Sequence, residues 1–493
     1  CFVSRMRREA EDAQVVIVNH HLFLADLALR KAARGASVLP AYDAVVFDEA
    51  HAIEDIATDF FGMRISSARV EALVRDAEQT LASSPTRSAL PGDLLLSSFE
   101  GVRVAARSFF EALPGRGSES DARRVLRLEE LTPAVRAAHE ALDVRLGDLE
   151  ASARAHGEES ALTLARRAGE IRDDLRSLLT TDESEVDGSG DRIRWIEVRS
   201  RSMAIGASPI DVGPALRSRL FDLVPSVICT SATLATGRSF HFAKARLGAP
   251  PEAPELVVAS PFDFASRAVL YLPDDLPEPA APGFDEGAAD RIGELVRLTG
   301  GGAFVLCTST RGMRSIHARL PRMGLDLMIQ GEGSKHALLE RFRASGKGVL
   351  VATMSFWEGV DVPGWALRLV VLDKIPFAPP GDPVVAARCN RLDQNGGSGF
   401  AEYSVPSAAM VLKQGFGRLI RTQRDVGVVA LLDRRVVRRG YGRALLAALP
   451  PARRVRTMGE LASSWAELIG LRASESDSPP SAAHATRAAH ERD

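Results

Sequence analysis

The rhythm of apolar and polar positions changes several times along the chain, and each change marks a region. Near the start, two short β-branched runs, 15–18 (Val-Val-Ile-Val) and 44–47 (Ala-Val-Val-Phe), predict strands. They are continuous rather than alternating, the pattern of strands buried on both faces of a parallel sheet. Each run stops at polar residues, Asn19-His20-His21 and Asp48-Glu49-Ala50-His51. Ligands of open parallel sheets bind beyond the carboxyl ends of strands, so these tips are the first candidate site.

From about 66 to 185 the period becomes helical: Val70, Leu73, Val74, Ala77 and Leu81, then Leu142, Leu146 and Leu149, then Ala168, Ile171, Leu175 and Leu178. Ser83-Ser84-Pro85 and Pro114-Gly115-Arg116-Gly117 punctuate the helices. This reads as an inserted helical domain whose exposed arginines form a solvated face. Strand signals return at 192–199 and at 226–230, and Pro-rich stretches at 249–254 and 273–282 suggest a domain boundary. Beyond it, apolar runs at 303–307, 348–352, 369–372 and 426–432 alternate with helical stretches, the βαβ rhythm of a second α/β domain. The expected division is 1–65 with 190–265, an insertion at 66–189, a second domain at 266–470, and a disordered Ser/Ala/Pro-rich tail at 471–493.

Composition narrows the class without naming a function. The 493 residues carry 62 basic and 64 acidic side chains, a net charge of −2, which excludes a polycationic tail but not a locally basic groove. Six lysines against 56 arginines reflect base composition more simply than phosphate recognition. Cys1, Cys229, Cys307 and Cys389 are far apart, with no CxxC pair, so a disulfide framework is excluded and a reducing cytoplasm is the expected location. No apolar run approaches the roughly 18–20 residues of a membrane span.

Several polar clusters at strand exits could carry chemistry. An Asp at a strand tip such as Asp48 can hold Mg²⁺, and an adjacent Glu49 can deprotonate a water that attacks a γ-phosphate; a polar strand end or helix cap explains the same letters. Ser231-Ala232-Thr233, after the run at 226–230, can bridge a nucleotide site to a neighbouring domain, or simply cap a turn. Thr308-Ser309-Thr310 can aim hydroxyls and helix amides at a phosphate, or serve as an N-cap. In 353–364 (Thr-Met-Ser-Phe-Trp-Glu-Gly-Val-Asp-Val-Pro-Gly), Trp357 can stack on bases or pack in the core. In Gln414-Gly415-Phe416-Gly417-Arg418-Leu419-Ile420-Arg421, helical spacing sets Gln414, Arg418 and Arg421 on one face, suited to neutralising a transferred phosphoryl group or to a surface ion-pair stripe.

The ordered set resembles the DinG-type, XPD-related helicases of superfamily 2. It runs Val18-Asn19-His20, Asp48-Glu49-Ala50-His51 (motif II), Thr230-Ser231-Ala232-Thr233-Leu234 (motif III), Ser260-Pro261-Phe262 and Thr308-Ser309 (motif IV). Phe356-Trp357-Glu358-Gly359-Val360-Asp361 (motif V), Lys374-Ile375-Pro376-Phe377 and Gln414 to Arg421 (motif VI) follow. The resemblance implies two RecA-like parallel-sheet domains of α/β class that clamp ATP, with an Arch-like helical insertion in the first. It implies that Asp48 holds Mg²⁺, Glu49 is the general base, and His51 couples the site to motif III. Gln414, Arg418 and Arg421 would face the γ-phosphate. Ser231, Thr233, Glu358, Gly359 and Asp361 would serve the ATP site and its coupling; Asn19, Thr308, Ser309, Thr353 and Trp357 would contact nucleic acid. The implied partners are single-stranded and forked DNA, with travel 5′ to 3′, no membrane, and a monomeric, nucleoid-associated enzyme of DNA repair or replication.

Two features depart from the pattern. A P-loop, Gly-x-x-x-x-Gly-Lys-[Ser/Thr], does not occur; Ser345-Gly346-Lys347-Gly348 lacks the hydroxyl residue and precedes a strand. In the family that loop lies before every motif found here, so the chain is expected to be the C-terminal portion of a helicase, poorly active alone. Many members also bind a 4Fe–4S cluster through four cysteines, of which Cys1 occupies the position of the last. Cys229 and Cys307 fall in predicted strands and read as core residues. The alternatives are a nucleic-acid-binding module without ATPase activity and a helicase fused to an N-terminal exonuclease domain.

Overall fold

The computed structural model describes residues 2–32, 37–82, 92–115, 123–180, 192–199, 202–235, 239–320, 324–356 and 360–476. The chain forms two compact units. The first takes Cys1–Ser231, His241–Ala253 and Ala378–Gly399; the second takes Ala232–Phe240, Pro254–Phe377 and Phe400–Asp493. The expected tail at 471–493 lies, from 477 on, outside the described residues.

In the first unit, β1 (Ala44–Phe47) pairs in parallel with β6 (Ser226–Cys229), Ala44 opposite Ser226 and Phe47 opposite Cys229. Helix His20–Ala32 covers this pair, with Phe23 edge-on to Phe47 at a 5.0 Å centroid distance. Residues 15–18, expected as a strand, are irregular, and Val15 and Ile17 are 79% and 94% exposed. Strand propensity is not enough: the ladder needs a neighbour to take its N–H and C=O groups, and among the described residues β1 pairs with β6 alone.

The rest of that unit is a second layer. Strands β2 (Met63–Ser66), β3 (Arg123–Val125), β4 (Arg192–Arg199) and β5 (Ser202–Pro209) form an antiparallel sheet in the order β2-β5-β4-β3. Helices Ser67–Ala82, Gly92–Ala112, Pro133–His156 and Glu159–Leu179 pack on it. The periodic residues Leu142, Leu146, Leu149, Ile171 and Leu175 share one core with Ile65, Ile196, Met203 and Ile205. The apolar residues Ile196, Met203, Ile205 and Ala207 pack with these helices. The arginines there are not merely solvated: Arg103 clamps both carboxylate oxygens of Glu78 at 2.7 Å, and Arg172 clamps Asp143 at 3.0 Å. These forks hold Glu78 and Asp143 below the usual carboxylate range.

The second unit is built on a seven-stranded parallel sheet. Its strands are β7 (Ala268–Tyr271), β8 (Ala303–Cys307), β9 (Leu327–Ile329), β10 (Val349–Thr353), β11 (Leu369–Leu372), β12 (Gly427–Leu431) and β13 (Arg453–Val455), in the order β13-β7-β12-β11-β8-β10-β9. Side chains alternate between two cores. Leu270, Phe304, Leu350, Val370 and Val429 face helices Lys335–Ser345 and Val405–Phe416. Val269, Val305, Val351, Val371 and Val428 face helices Phe284–Thr299 and Met458–Ser476. Because both faces are buried, the strands read as continuous apolar runs. The parallel direction brings Thr308, Thr353, Asp373 and Asp433 to one edge, each at or just after a strand's carboxyl end.

The tightest approach in the antiparallel sheet is at Gly206, opposite Trp195; a Cβ there would stand 2.4 Å from the indole and 2.5 Å from the Met63 carbonyl. Trp195 is pinned by its Nε1–H bond to Ser208 Oγ (2.9 Å), so it cannot yield. Gly206→Ala is expected to destabilise the chain by about 1–3 kcal/mol, read as a lower urea midpoint at unchanged m-value.

Candidate functional site

The β1–β6 register places two strand tips side by side. Thr230 N donates to Phe47 O (2.8 Å) and Ala50 N donates back to Thr230 O (2.9 Å), so the acidic box is stitched to the residue after β6. Thr230 Oγ1 lies 3.3 Å from Asp48 Oδ1, which also accepts from Glu49 N (3.0 Å). Ser231 Oγ donates to Glu49 Oε2 at 3.2 Å and lies 2.9 Å from His51 Nδ1. A hydroxyl has one proton; with it on Glu49, the bond to His51 requires the imidazole proton on Nδ1. His51 Nδ1 is itself 3.3 Å from Glu49 Oε2. Asp48, Glu49, His51 and Ser231 thus form one cluster.

Glu49 holds φ 49° and ψ 44°, the one non-glycine among the described residues in the left-handed region. That conformation costs on the order of 1 kcal/mol. It turns the chain sharply from β1 into the 3₁₀ turn Ala50–Ala52, which continues into helix Ile53–Phe60. The two carboxylates remain exposed while Phe47 and Ala50 on either side are buried.

In the second unit the motif VI residues converge differently from the expectation. Helix Val405–Phe416 ends before the arginines, so Gln414 is helical, Arg418 lies in the turn beyond and Arg421 in irregular chain after it. Gly415 and Gly417, poor helix residues, bracket the end. The arginines still meet: Arg418 Nη1 (3.1 Å) and Arg421 Nη2 (3.4 Å) both donate to the Val360 carbonyl. Arg421 also pairs with Asp361 at 3.3 Å. Asp425, buried and not singled out from sequence, fixes this loop by accepting from the backbone N–H groups of Arg421 and Thr422, both at 2.8 Å. Gln414 Nε2 donates to Thr233 Oγ1 at 3.5 Å. The division between units falls between Ser231 and Ala232, so Ser231 bonds within the first unit and buried Thr233 within the second.

The remaining candidates occupy capping or strand-end positions. Asn19 Oδ1 accepts from Leu22 N (2.8 Å) and Ser309 Oγ from Gly312 N (3.1 Å). Thr353 binds Gln330 Oε1 through its N–H (2.8 Å) and hydroxyl (2.9 Å). Thr308 N donates to Asp373 Oδ1 at 2.9 Å. Asp373 is fully buried; its Oδ2 has no hydrogen-bond partner among the described residues, and Lys374 Nζ stands 3.7 Å away. Burial raises its carboxyl to about 6 against the pull of Lys374. A polar residue directly after the buried run 369–372 was the signal for it, the same signal that marks Asp48. Cys1, Trp357, Glu358 and Gly359 lie outside the described residues.

The donor set suits a hard cation at Asp48 and does not suit an iron–sulfur cluster. Cys229 ends β6 and Cys307 ends β8, with burial raising both thiols, Cys229 to about 11; Cys389 lies in helix Pro383–Gln394. Among the described residues no group of three or more His, Cys, Asp or Glu side chains could hold a metal ion, and no helix is long and apolar enough to cross a membrane.

Comparison with known proteins agrees with the motifs. The family model described as Helicase C-terminal domain matches residues 292–452, and the DEAD_2 model matches residues 1–70. The chain is 37% identical over 462 residues to the ATP-dependent DNA helicase YoaA of Escherichia coli, covering 92% of this chain and 70% of that one. It is 33% identical over 461 residues to the ATP-dependent helicase DinG of Mycobacterium tuberculosis, covering 92% of this chain and 66% of the relative. Among solved structures, S. tokodaii Xpd4 shares the fold with a TM-score of 0.56 at 15% identity, over 88% of this chain and 81% of that one.

The buried Asp373 makes stability depend on pH. Its folded pKa of about 6 lies above the ordinary 3.8, so the folded state binds the proton more tightly. Its stabilisation is full below about pH 4 and is lost as pH rises through 6. Asp373→Asn is expected to remove this slope, narrowing the loss of stability between pH 4.5 and 7 by on the order of 2 kcal/mol, read from urea midpoints at both pH values.

Proposed function

This chain belongs to the DinG/YoaA family of ATP-dependent DNA helicases, and from that premise we propose that its acidic-box cluster hydrolyses ATP to drive movement along single-stranded DNA and separation of duplexes at forks. The observation that carries the reading is the joining of Asp48, Glu49, His51 and Ser231 by hydrogen bonds at adjacent strand tips.

Asp48 would hold Mg²⁺, directly or through water, and the ion when bound neutralises charge on the β- and γ-phosphates. Glu49 accepts a proton from the attacking water; the Ser231 hydroxyl and His51 Nδ1–H keep its carboxylate oriented for that task. Arg418 and Arg421 neutralise charge developing on the transferred phosphoryl group. Thr233, bonded to Gln414, links motif III to motif VI, and Asp361 holds Arg421. Thr308 and Ser309, just before helix Thr310–His317, are the residues assigned to a DNA phosphate, and Trp357, outside the described residues, is the one assigned to stack on a base. The enzyme works as a monomer in the cytoplasm, at the nucleoid. The described residues do not fit a 4Fe–4S cluster.

The product of the complete reading frame is expected to show ATPase activity stimulated by single-stranded DNA. Glu49→Gln should lower kcat by about 10²–10⁴-fold with nucleotide binding retained. Arg418→Ala should cost roughly 10³-fold or more in kcat. Unchanged rates in either variant would remove the role assigned to that residue. Ser231→Ala should lower kcat with KM little changed, because it removes the hydroxyl that donates to the Glu49 carboxylate and leaves His51 alone to orient it.

A further inference from the structure

Helix Ile53–Phe60 begins where the acidic turn Ala50–Ala52 ends, and it is held by an unusual anchor. The Glu54 side chain, in its first turn, is only 12% exposed and accepts from Arg388 Nη1 (2.7 Å) and Arg246 Nε (2.8 Å). Arg388 is 2% exposed; it also donates to Thr58 Oγ1 (2.7 Å) and to the Ile210 carbonyl (2.9 Å). Glu54 and Thr58 stand on successive turns of one face, so a single planar fork fixes both the rotation and the axial position of the helix. A buried ion pair contributes little net stability compared with apolar packing. Its distinctive property is geometric.

The origin of Arg388 gives that geometry a use. Residues 378–399 leave the chain of the second unit between β11 and β12, belong to the first unit, and return as the lead into the helix carrying Gln414. The segment is braced by its own hydrogen bonds. Asp382 caps its helix at Val384 N (2.9 Å) and Val385 N (3.1 Å), and Asp393 Oδ1 accepts from Gly399 N (2.7 Å). Gly399 lies so close that a Cβ would stand 2.4 Å from Cys389 Cα. The segment therefore joins, along one stretch of chain, the strands β11 and β12 to Arg388, and Arg388 in turn bonds Glu54 and Thr58 of the helix that follows the Glu49 turn.

We propose that Arg388 is a positioning residue that ties the geometry of the acidic box to the segment between β11 and β12, so that ATP hydrolysis and strand separation advance together. The inference rests on the helicase reading above and adds to it the residue that transmits the motion.

The test uses Arg388→Met in the product of the complete reading frame, with Arg388→Lys and Thr58→Val beside it. Glu54 keeps Arg246, and Thr58 keeps its bond to the Glu54 carbonyl (2.7 Å), so Arg388→Met leaves neither side chain without a partner. The expected result is ATPase activity stimulated by single-stranded DNA within about threefold of wild type, with base pairs separated per ATP falling about tenfold. Arg388→Lys should recover part of the loss, and Thr58→Val should show a smaller fall in the same ratio. ATPase and unwinding falling in equal proportion, or neither changing, would overturn the proposal, since a plain structural brace does not alter the ratio. If Arg388→Met does not fold, the ratio in Thr58→Val decides. A wild-type protein without DNA-stimulated ATPase would instead remove the helicase reading, and this inference with it.

Discussion

The parallel pairing of β1 with β6 is the constraint on which the acidic cluster depends. Four residues on each side are enough to set a register, and the register decides which polar groups meet when the strands end. With Phe47 opposite Cys229, the residues that follow are Asp48 and Thr230, and the reciprocal bonds between Ala50 and Thr230 close the arrangement. A slip by one residue would exchange the faces of every side chain and separate the hydroxyls from the carboxylates. The strained turn at Glu49 is tolerated because these bonds, together with the buried Phe47 and Ala50, leave it no alternative path.

The second unit solves a similar problem with a larger sheet. Its strands supply a rigid carboxyl edge, and buried carboxylates then shape the loops that leave it. Asp373 holds the Thr308 turn, Asp433 accepts from Ile375 N at 3.0 Å, and Asp425 holds the turn between the arginines and β12. Each is an acceptor with two lone-pair-rich oxygens placed where several N–H groups would otherwise be orphaned. The two arginines beyond the helix are therefore placed by backbone bonding as much as by their own side chains.

Much of this was legible in the sequence, and the exceptions have physical reasons. The runs at 303–307, 348–352, 369–372 and 426–432 declare themselves because strands buried on both faces need apolar residues at every position. The edge strand β13 does not: it is Arg453-Arg454-Val455 and carries no such signal. The run at 15–18 has the composition of a strand but no ladder partner, a property of the neighbourhood rather than of the segment. Spacing placed Gln414, Arg418 and Arg421 on one helical face, yet periodicity does not record where a helix stops, and two glycines end this one early. The chemistry at Asp48, Glu49 and Ser231 was readable through ordered motifs, although their contact spans about 180 positions. Arg388 was invisible, one arginine among 56 on a helix with no local mark of its partner.

The first unit is assembled from three separate stretches of chain, and that has a consequence for how it is made. At a synthesis rate of roughly 5–20 residues per second, the stretch ending at Gly399 emerges on the order of ten seconds after the one ending at Ala253. In that interval Glu54 and Arg246 have been synthesised and Arg388 has not, while strands of the other sheet are being translated. The two guanidiniums that meet on one carboxylate are therefore made in order, Arg246 first and Arg388 last, and the pocket around Glu54 is complete only when the third stretch has been synthesised.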